Sequence, residues 1–186
     1  MAETSTVGQA PGAKAIRFDG TARIIGDRTI VRLPADASAE LPSRGQVAVT
    51  GTANGYAFQS VLEPDGMRGH WLDVDGALQR TVGDGDTVTL DIQPTKEWPE
   101  PTVPDDLRAA LADAPETSEL WTSITPMARW EWVRWINATK NPVTRDRRVE
   151  VAISKLHAGK RRPCCFDLSS CTDPELSKGG NLVDAM

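Results

Sequence analysis

Three cysteines, Cys164, Cys165 and Cys171, fall within eight residues near the C-terminus, and His157 lies seven residues before the first of them. Thiolates and imidazoles are the usual zinc ligands, and a structural zinc takes four such donors in a tetrahedron. These four residues make up that number. The familiar C-x2-C spacing is missing, and the adjacent Cys164 and Cys165 reach one metal only through a tight local turn. A second chemistry is open to the same residues. Arg161 and Arg162 stand beside Cys164, and neighbouring cations raise a thiol's thiolate fraction. Cys171 would then resolve an oxidised Cys164 or Cys165. The plain alternative is a loosely ordered tail with free thiols. An odd, clustered count does not make a disulfide framework.

A second group is basic. Between Arg129 and Arg162 there are ten Lys or Arg against three acids, a local excess of seven positive charges in a chain of net charge −5. Arg145, Arg147, Arg148, Lys155, Lys160, Arg161 and Arg162 would make a phosphate-binding face for nucleic acid, or a face for an acidic protein. They would equally make a solvated helix surface, paired in part with Asp146 and Glu150. Trp130, Trp132 and Trp135 are interleaved with Arg129 and Arg134, a pattern that can stack bases. With Met127, Val133 and Ile136 they cover most of a helical wheel. A helix apolar nearly all round is buried, so these tryptophans read as core.

His70, Trp71, Tyr56 and Phe58 outline an aromatic pocket for a small ligand. No Ser, Cys or carboxylate stands at a recognisable catalytic spacing from His70, so no catalytic residue is assigned. The phosphate-binding and dinucleotide-binding glycine motifs, the nucleophile elbow and the H-E-x-x-H zinc motif are absent. Gly83-Asp84-Gly85-Asp86 lacks the spaced acids and distal Glu of a calcium loop, and it reads as a hairpin turn.

The elements that must position these residues change character along the chain. From Lys14 to about Gln93, short runs alternate apolar with polar residues, as in Thr29–Leu33, Gln46–Thr50 and Thr87–Ile92. That is strand periodicity. Asn54-Gly55 between two such runs is a strong hairpin signal, and Pro64-Asp65-Gly66 marks another turn. Many short strands with Gly and Pro turns imply a small barrel or sandwich. Pro94, Pro99, Pro101 and Pro104 stiffen the stretch that follows. Helices then dominate: Pro104 fits a first helical position, Pro115 and Pro126 open further helices, and Thr144 is an N-cap for the last. Val149, Ala152, Ile153 and Leu156 form one apolar stripe there, and Gly159 ends it. The expected organisation is a lead over residues 1–13 without order, a barrel over 14–94, a linker over 95–104, helices over 105–160, and a mostly disordered Cys-bearing tail over 161–186.

Composition narrows the classes of function. Of 186 residues, 39% are hydrophobic and 25% charged, an ordinary globular balance. No run approaches the roughly 20 apolar residues that cross a bilayer, so no membrane insertion is expected. The first residues carry neither a basic start nor an apolar run, unlike a secretory leader. A cytoplasmic protein with reduced thiols is the expectation.

Several segments together carry a resemblance. They are Val49-Thr50-Gly51-Thr52-Ala53-Asn54-Gly55-Tyr56, Pro64-Asp65-Gly66 with Gly69-His70-Trp71-Leu72-Asp73-Val74, and Gly85-Asp86-Thr87-Val88-Thr89-Leu90. In the second half they are Val103-Pro104-Asp105-Asp106-Leu107, Ala110-Leu111, Trp135-Ile136, Ala138, Lys140, Thr144-Arg145 and Arg148. In order and spacing, over roughly residues 14 to 163, the chain resembles a bacterial family of unknown biochemical function. Its small β-barrel domain precedes a YdeI/OmpD-associated, or bacteriocin-protection-like, helical segment. The resemblance implies an α+β fold: an antiparallel barrel of the double-split type, then a short helical bundle. The chain departs from that family's pattern at Gly76 and Gln79, where a Lys and an Arg are usual, and at Val143, where a Glu is usual.

Three functions follow as expectations. The first is a non-catalytic protein for binding a small ligand, or for stress protection, with its pocket at Tyr56, Phe58, His70 and Trp71. The second is a nucleic-acid or protein interaction module on the basic helices, with a Cys-rich, zinc-holding tail. The third is a thiol-redox protein at Cys164 or Cys165.

Overall fold

The computed structural model describes residues 14–163 and 167–183. Six antiparallel strands close the first half into a barrel: β1 (Ile16–Ile25), β2 (Arg28–Arg32), β3 (Val47–Ala53), β4 (Tyr56–Pro64), β5 (His70–Val74) and β6 (Thr87–Pro94). Their order around the barrel is β1-β2-β5-β4-β3-β6. A short helix α1 (Ala35–Ala39) follows β2, and a single turn α2 (Gly76–Gln79) follows β5. The α+β reading therefore holds, with the barrel closed by two long strands that each serve two neighbours. Ile16–Thr21 of β1 pair with β6, while Ala22–Ile25 pair with β2. β4 gives Tyr56–Leu62 to β3 and Glu63–Pro64 to β5. Gly20 precedes the change of neighbour on β1, where an added Cβ would lie 2.3 Å from Val31 Cγ1.

Period-2 alternation fills the interior. Val31, Val49, Val88, Leu62, Leu72 and Leu90 are all buried in one cluster, joined by Ala37 of α1 and Leu41 after it. Each such side chain contributes about 1.5–3 kcal/mol by leaving water. The Asn54-Gly55 signal is a two-residue hairpin as expected: Ala53 pairs with Tyr56, and both loop residues have positive φ, 48° and 82°. The Pro64-Asp65-Gly66 turn is held by the Asp65 carboxylate, which accepts from Met67 N–H and Gly69 N–H. Gly83–Asp86 corrects the hairpin reading. It is a turn, with Asp86 N–H donating to Gly83 O, but it leads from α2 into β6 and docks on β1 through Ala22.

Four helices follow: α3 (Asp105–Asp113), α4 (Pro115–Ser123), α5 (Pro126–Asn137) and α6 (Pro142–His157). Pro104 caps α3 from outside the helix rather than starting it. At α6 the cap is Asn141, whose side chain accepts from Thr144 N–H at 3.0 Å; Thr144 is thus the third residue in, and Pro142 the first. Gly159 ends α6 as expected. Its N–H donates to Leu156 O, Lys160 N–H donates to Lys155 O, and its φ is +80°, the Schellman arrangement. The stripe Val149, Ala152 and Leu156 packs with Leu107, Trp132 and Ile136 in a second core. Trp132 is fully buried, while Trp130 and Trp135 are half-buried. The proline stretch is tied to α5, since Trp130 Nε1 donates to Pro99 O at 2.7 Å.

Residues 167–183 correct the expectation of a disordered tail. They fold back on the barrel and end in a small hairpin, β7 (Ser177–Lys178) and β8 (Asn181–Leu182). Gly179 and Gly180 form its turn, both at positive φ, as a two-residue hairpin requires. Cys171, Leu176 and Leu182 are buried there against Ile30 and Trp71. The three buried side chains are too irregularly spaced among polar residues to give a periodicity to read. They suffice because the barrel's outer face supplies the rest of the cluster.

Candidate functional site

Adjacent residues of a strand point to opposite faces, and on β5 this divides the sequence in two. Leu72 and Val74 enter the barrel core. Trp71, Asp73 and Asp75 face outward and line a cleft of about 250 Å³. β4 adds Glu63, the ladder partner of Trp71. β2 adds Arg28, α5 adds Trp130 and Arg134, and the C-terminal segment adds Thr172 and Asp173. The cleft thus lies where barrel, helices and C-terminal segment meet.

Two guanidinium groups organise its charges. Arg28 donates from Nη2 and Nε to Asp73 Oδ2, at 2.5 and 3.1 Å, and from Nη1 to Asp173 Oδ2 at 2.9 Å. Arg134 Nε lies 3.1 Å from Glu63 Oε2, and its Nη2 donates to Ser170 O at 2.5 Å. Gln46 Nε2 donates to the other Glu63 oxygen at 2.6 Å. Burial pushes the Glu63 carboxyl above its ordinary pKa, against the opposing charge of Arg134. Asp73 is raised in the same way: burial is the largest cause, Arg28 opposes it, and the charges of Asp75 and Asp173 add to it. Burial alone would lower the Arg28 pKa, but its bonds and charges with Asp73 and Asp173 hold it above the ordinary value. Four carboxylates therefore face two guanidinium groups, both already engaged. Perturbed groups gathered in a cleft mark a functional-site candidate.

The four residues expected to form an aromatic pocket do not come together. Trp71 lines the cleft, with its Nε1 donating to Pro64 O. His70, its neighbour, is fully buried and bonded to Ser38 and Gly45 on the other side of the strand. Tyr56 stands exposed beside the β3–β4 turn, and Phe58 packs against the barrel core. Tyr56 and Pro64 close opposite ends of β4, about 25 Å apart along an extended strand.

The basic face is largely occupied by the chain itself. Arg145 donates to Asp106 at 2.6 Å, Arg147 pairs with Glu150 at 3.1 Å, and Arg162 Nε donates to Glu131 at 2.8 Å. Arg161 donates to Ser123 O at 3.1 Å. Arg148 donates to Trp135 O, and its guanidinium lies 5.5 Å from the Trp135 ring centre; Lys155 Nζ lies 5.6 Å from the same ring. The expected metal set is divided too. Cys171 is buried against the barrel, whereas His157 is exposed at the end of α6 and lines a groove with Ala110 and Glu116. Cys164 and Cys165 lie outside the described residues. Burial pushes the Cys171 thiol up to about 11, which disfavours the thiolate on which thiol-redox chemistry depends. Among the described residues, no three His, Cys, Asp or Glu are placed to share a metal. No helix among them is long and apolar enough to cross a membrane.

Sequence reasoning passed over Arg28, Glu63, Asp75 and Asp173; it met Asp73 only within the resemblance and Arg134 only beside the tryptophans of its helix. One signal was present: Trp71 and Asp73 alternate along a strand and Asp75 follows it in extended backbone, which sets one indole and two carboxylates on a single face.

Two family models match the chain. Residues 13–92 match DUF1905, a domain of unknown function, and residues 100–159 match OmdA, described as bacteriocin-protection, YdeI or OmpD-associated. No curated protein matches the sequence. The cleft is walled by both matched regions and by a segment that follows them. Along the chain, the closed six-stranded barrel is the region that matches DUF1905, and the helices after it are the region that matches the bacteriocin-protection, YdeI or OmpD-associated model.

Proposed function

We propose that this chain is a non-catalytic binding protein whose cleft takes a small ligand carrying an ammonium or guanidinium group. The observation that carries this reading is the charge balance of the cleft. Arg28 serves Asp73 and Asp173, Arg134 serves Glu63, and Asp75 lines the same cavity beside them. A cation entering there lowers the repulsion that Asp73 now feels from Asp75 and Asp173. Trp71 and Trp130 line the same cavity, and indole rings attract cations. The family description of bacteriocin protection goes with a protective binding role.

The test is ligand-induced stabilisation. Small amines and guanidines with an apolar group are compared with neutral isosteres by thermal unfolding. Cations should raise the melting temperature and their neutral counterparts should not, and Asp75→Asn should cut the effect. Equal shifts from neutral isosteres, or none from any cation, would overturn the reading. A second reading, an anionic macromolecule held along α6, rests on Arg148 and Lys155 flanking the half-buried Trp135. It is favoured instead if DNA or RNA binds with an affinity that falls steeply with salt.

A further inference from the structure

We infer that the C-terminal segment 167–183, which follows both matched domains, is a latched strap controlling access to the cleft, and that Arg28 is its latch. The inference rests on the cleft being the binding site. The strap has two unlike halves. Its hairpin half is anchored by apolar contact: Leu176 and Leu182 are buried, Leu182 N–H donates to Asp65 O at 2.8 Å, and Gly66 lies beneath Gly180. Its other half, Ser170–Asp173, places Thr172 and Asp173 in the cleft wall; Cys171 is buried and its N–H donates to Gly180 O at 2.7 Å, and the remaining holds on this half are polar side chains.

Those polar groups form two matched staples. Arg28 ties a barrel carboxylate, Asp73, to Asp173 on the strap. Arg134 ties another barrel carboxylate, Glu63, to the Ser170 carbonyl on the strap. Each staple is a charged hydrogen bond at the edge of a cavity. Charge-assisted bonds are strong, but the Arg28 side chain is 28% exposed against 5% for Arg134, so the Arg28 staple is the one open to water or to a competing ion. The wall can therefore lift on its Arg28 side while the hairpin stays seated. Cys171, between the two stapled residues, is buried beneath them. Its thiol becomes accessible when the wall lifts.

The experiment measures alkylation of Cys171 in the full chain carrying Cys164→Ser and Cys165→Ser, with no ligand present. Arg28→Gln and Asp173→Asn should each speed labelling by about tenfold or more, the factor that loss of one charge-assisted bond gives. Glu100→Gln, which breaks the Arg129–Glu100 pair on the helical side, should leave the rate unchanged. The two latch variants act oppositely on the charge beside the thiol. Asp173→Asn removes a neighbouring negative charge, while Arg28→Gln leaves it uncompensated, so faster labelling in both cannot be an electrostatic effect on the thiol. Unchanged labelling in Arg28→Gln overturns the latch, and so does equal acceleration in Glu100→Gln. If Arg28→Gln does not fold, Arg28→Lys, which keeps the charge but not the fork, decides the matter by the same rate. Because the labelling uses no ligand, its failure leaves the binding proposal standing, and a failure of binding leaves the latch result intact.

Discussion

Ser38 Oγ lies 2.6 Å from Nδ1 of His70, and the Nε2 of the same ring lies 3.0 Å from the Gly45 carbonyl oxygen. A carbonyl only accepts, so Nε2 carries the hydrogen and Nδ1 accepts from the Ser38 hydroxyl. The neutral ring is satisfied on both sides at a fully buried position. His70 is a structural link between β5, α1 and the loop before β3.

Its titration follows from that. Burial lowers the His70 pKa, and the charge of Arg44 adds to the effect. An unfolded histidine takes its proton near about 6.5, whereas the folded ring stays neutral to lower pH. The unfolded state then binds more protons, and stability falls as pH drops from about 6.5 toward the folded pKa. Glu63 and Asp73 are raised and act with the opposite sign at lower pH, so the comparison must be internal. Urea unfolding at pH 7 and pH 5.5 should show a smaller loss in His70→Gln than in the parent chain. Parallel losses would refute it.

Trp132 offers a test of the helical core. Its side chain is fully buried among Leu107, Ile136 and Leu156, and its Nε1 donates to Arg161 O at 3.1 Å. Trp132→Ala should cost about 3–5 kcal/mol in chemical denaturation. A loss below about 1 kcal/mol would place this ring outside the core.

Two glycines of similar backbone should respond differently. Gly66 and Gly76 have φ of +79° and +59°, so alanine at either meets left-handed strain of about 1 kcal/mol. At Gly76 nothing lies within 4 Å of the added Cβ, but at Gly66 it would sit 2.0 Å from the Gly180 carbonyl oxygen. Gly66→Ala must also push the hairpin away from the barrel. Its melting temperature should fall several degrees further than that of Gly76→Ala. Equal falls would mean that the C-terminal hairpin does not sit on the β4–β5 turn.

Asp106 and Arg145 join α3 to α6 through two hydrogen bonds of 2.6 and 3.1 Å. These bonds hold the Asp106 carboxyl below its ordinary pKa. The contribution is therefore present above about pH 3.9 and fades as pH falls through the folded value. The pair is partly exposed, so Asp106→Asn should cost only about 1 kcal/mol at pH 7, with the gap to the parent narrowing near pH 3. A gap that does not vary with pH would mean the side chain acts through packing rather than charge.

The local elements were legible in the order of residues alone. Alternation marked the strands, Asn54-Gly55 the β3–β4 hairpin, and the stripe Val149, Ala152, Ile153 and Leu156 the last helix, ended by Gly159. These are short-range properties: side-chain period and backbone freedom are fixed within a few residues. The tertiary structure decided which of them meet. His70 and Trp71 are neighbours in sequence, yet the pleat sends one to Ser38 and the other to the cleft. Arg28 and Asp173 lie 145 residues apart and share a hydrogen bond of 2.9 Å. The basic residues of α6 look like a free cationic face until Asp106 and the Trp135 ring are brought to them. Chain closure around the barrel creates such pairings, and a one-dimensional pattern of charge and polarity carries no record of the partner.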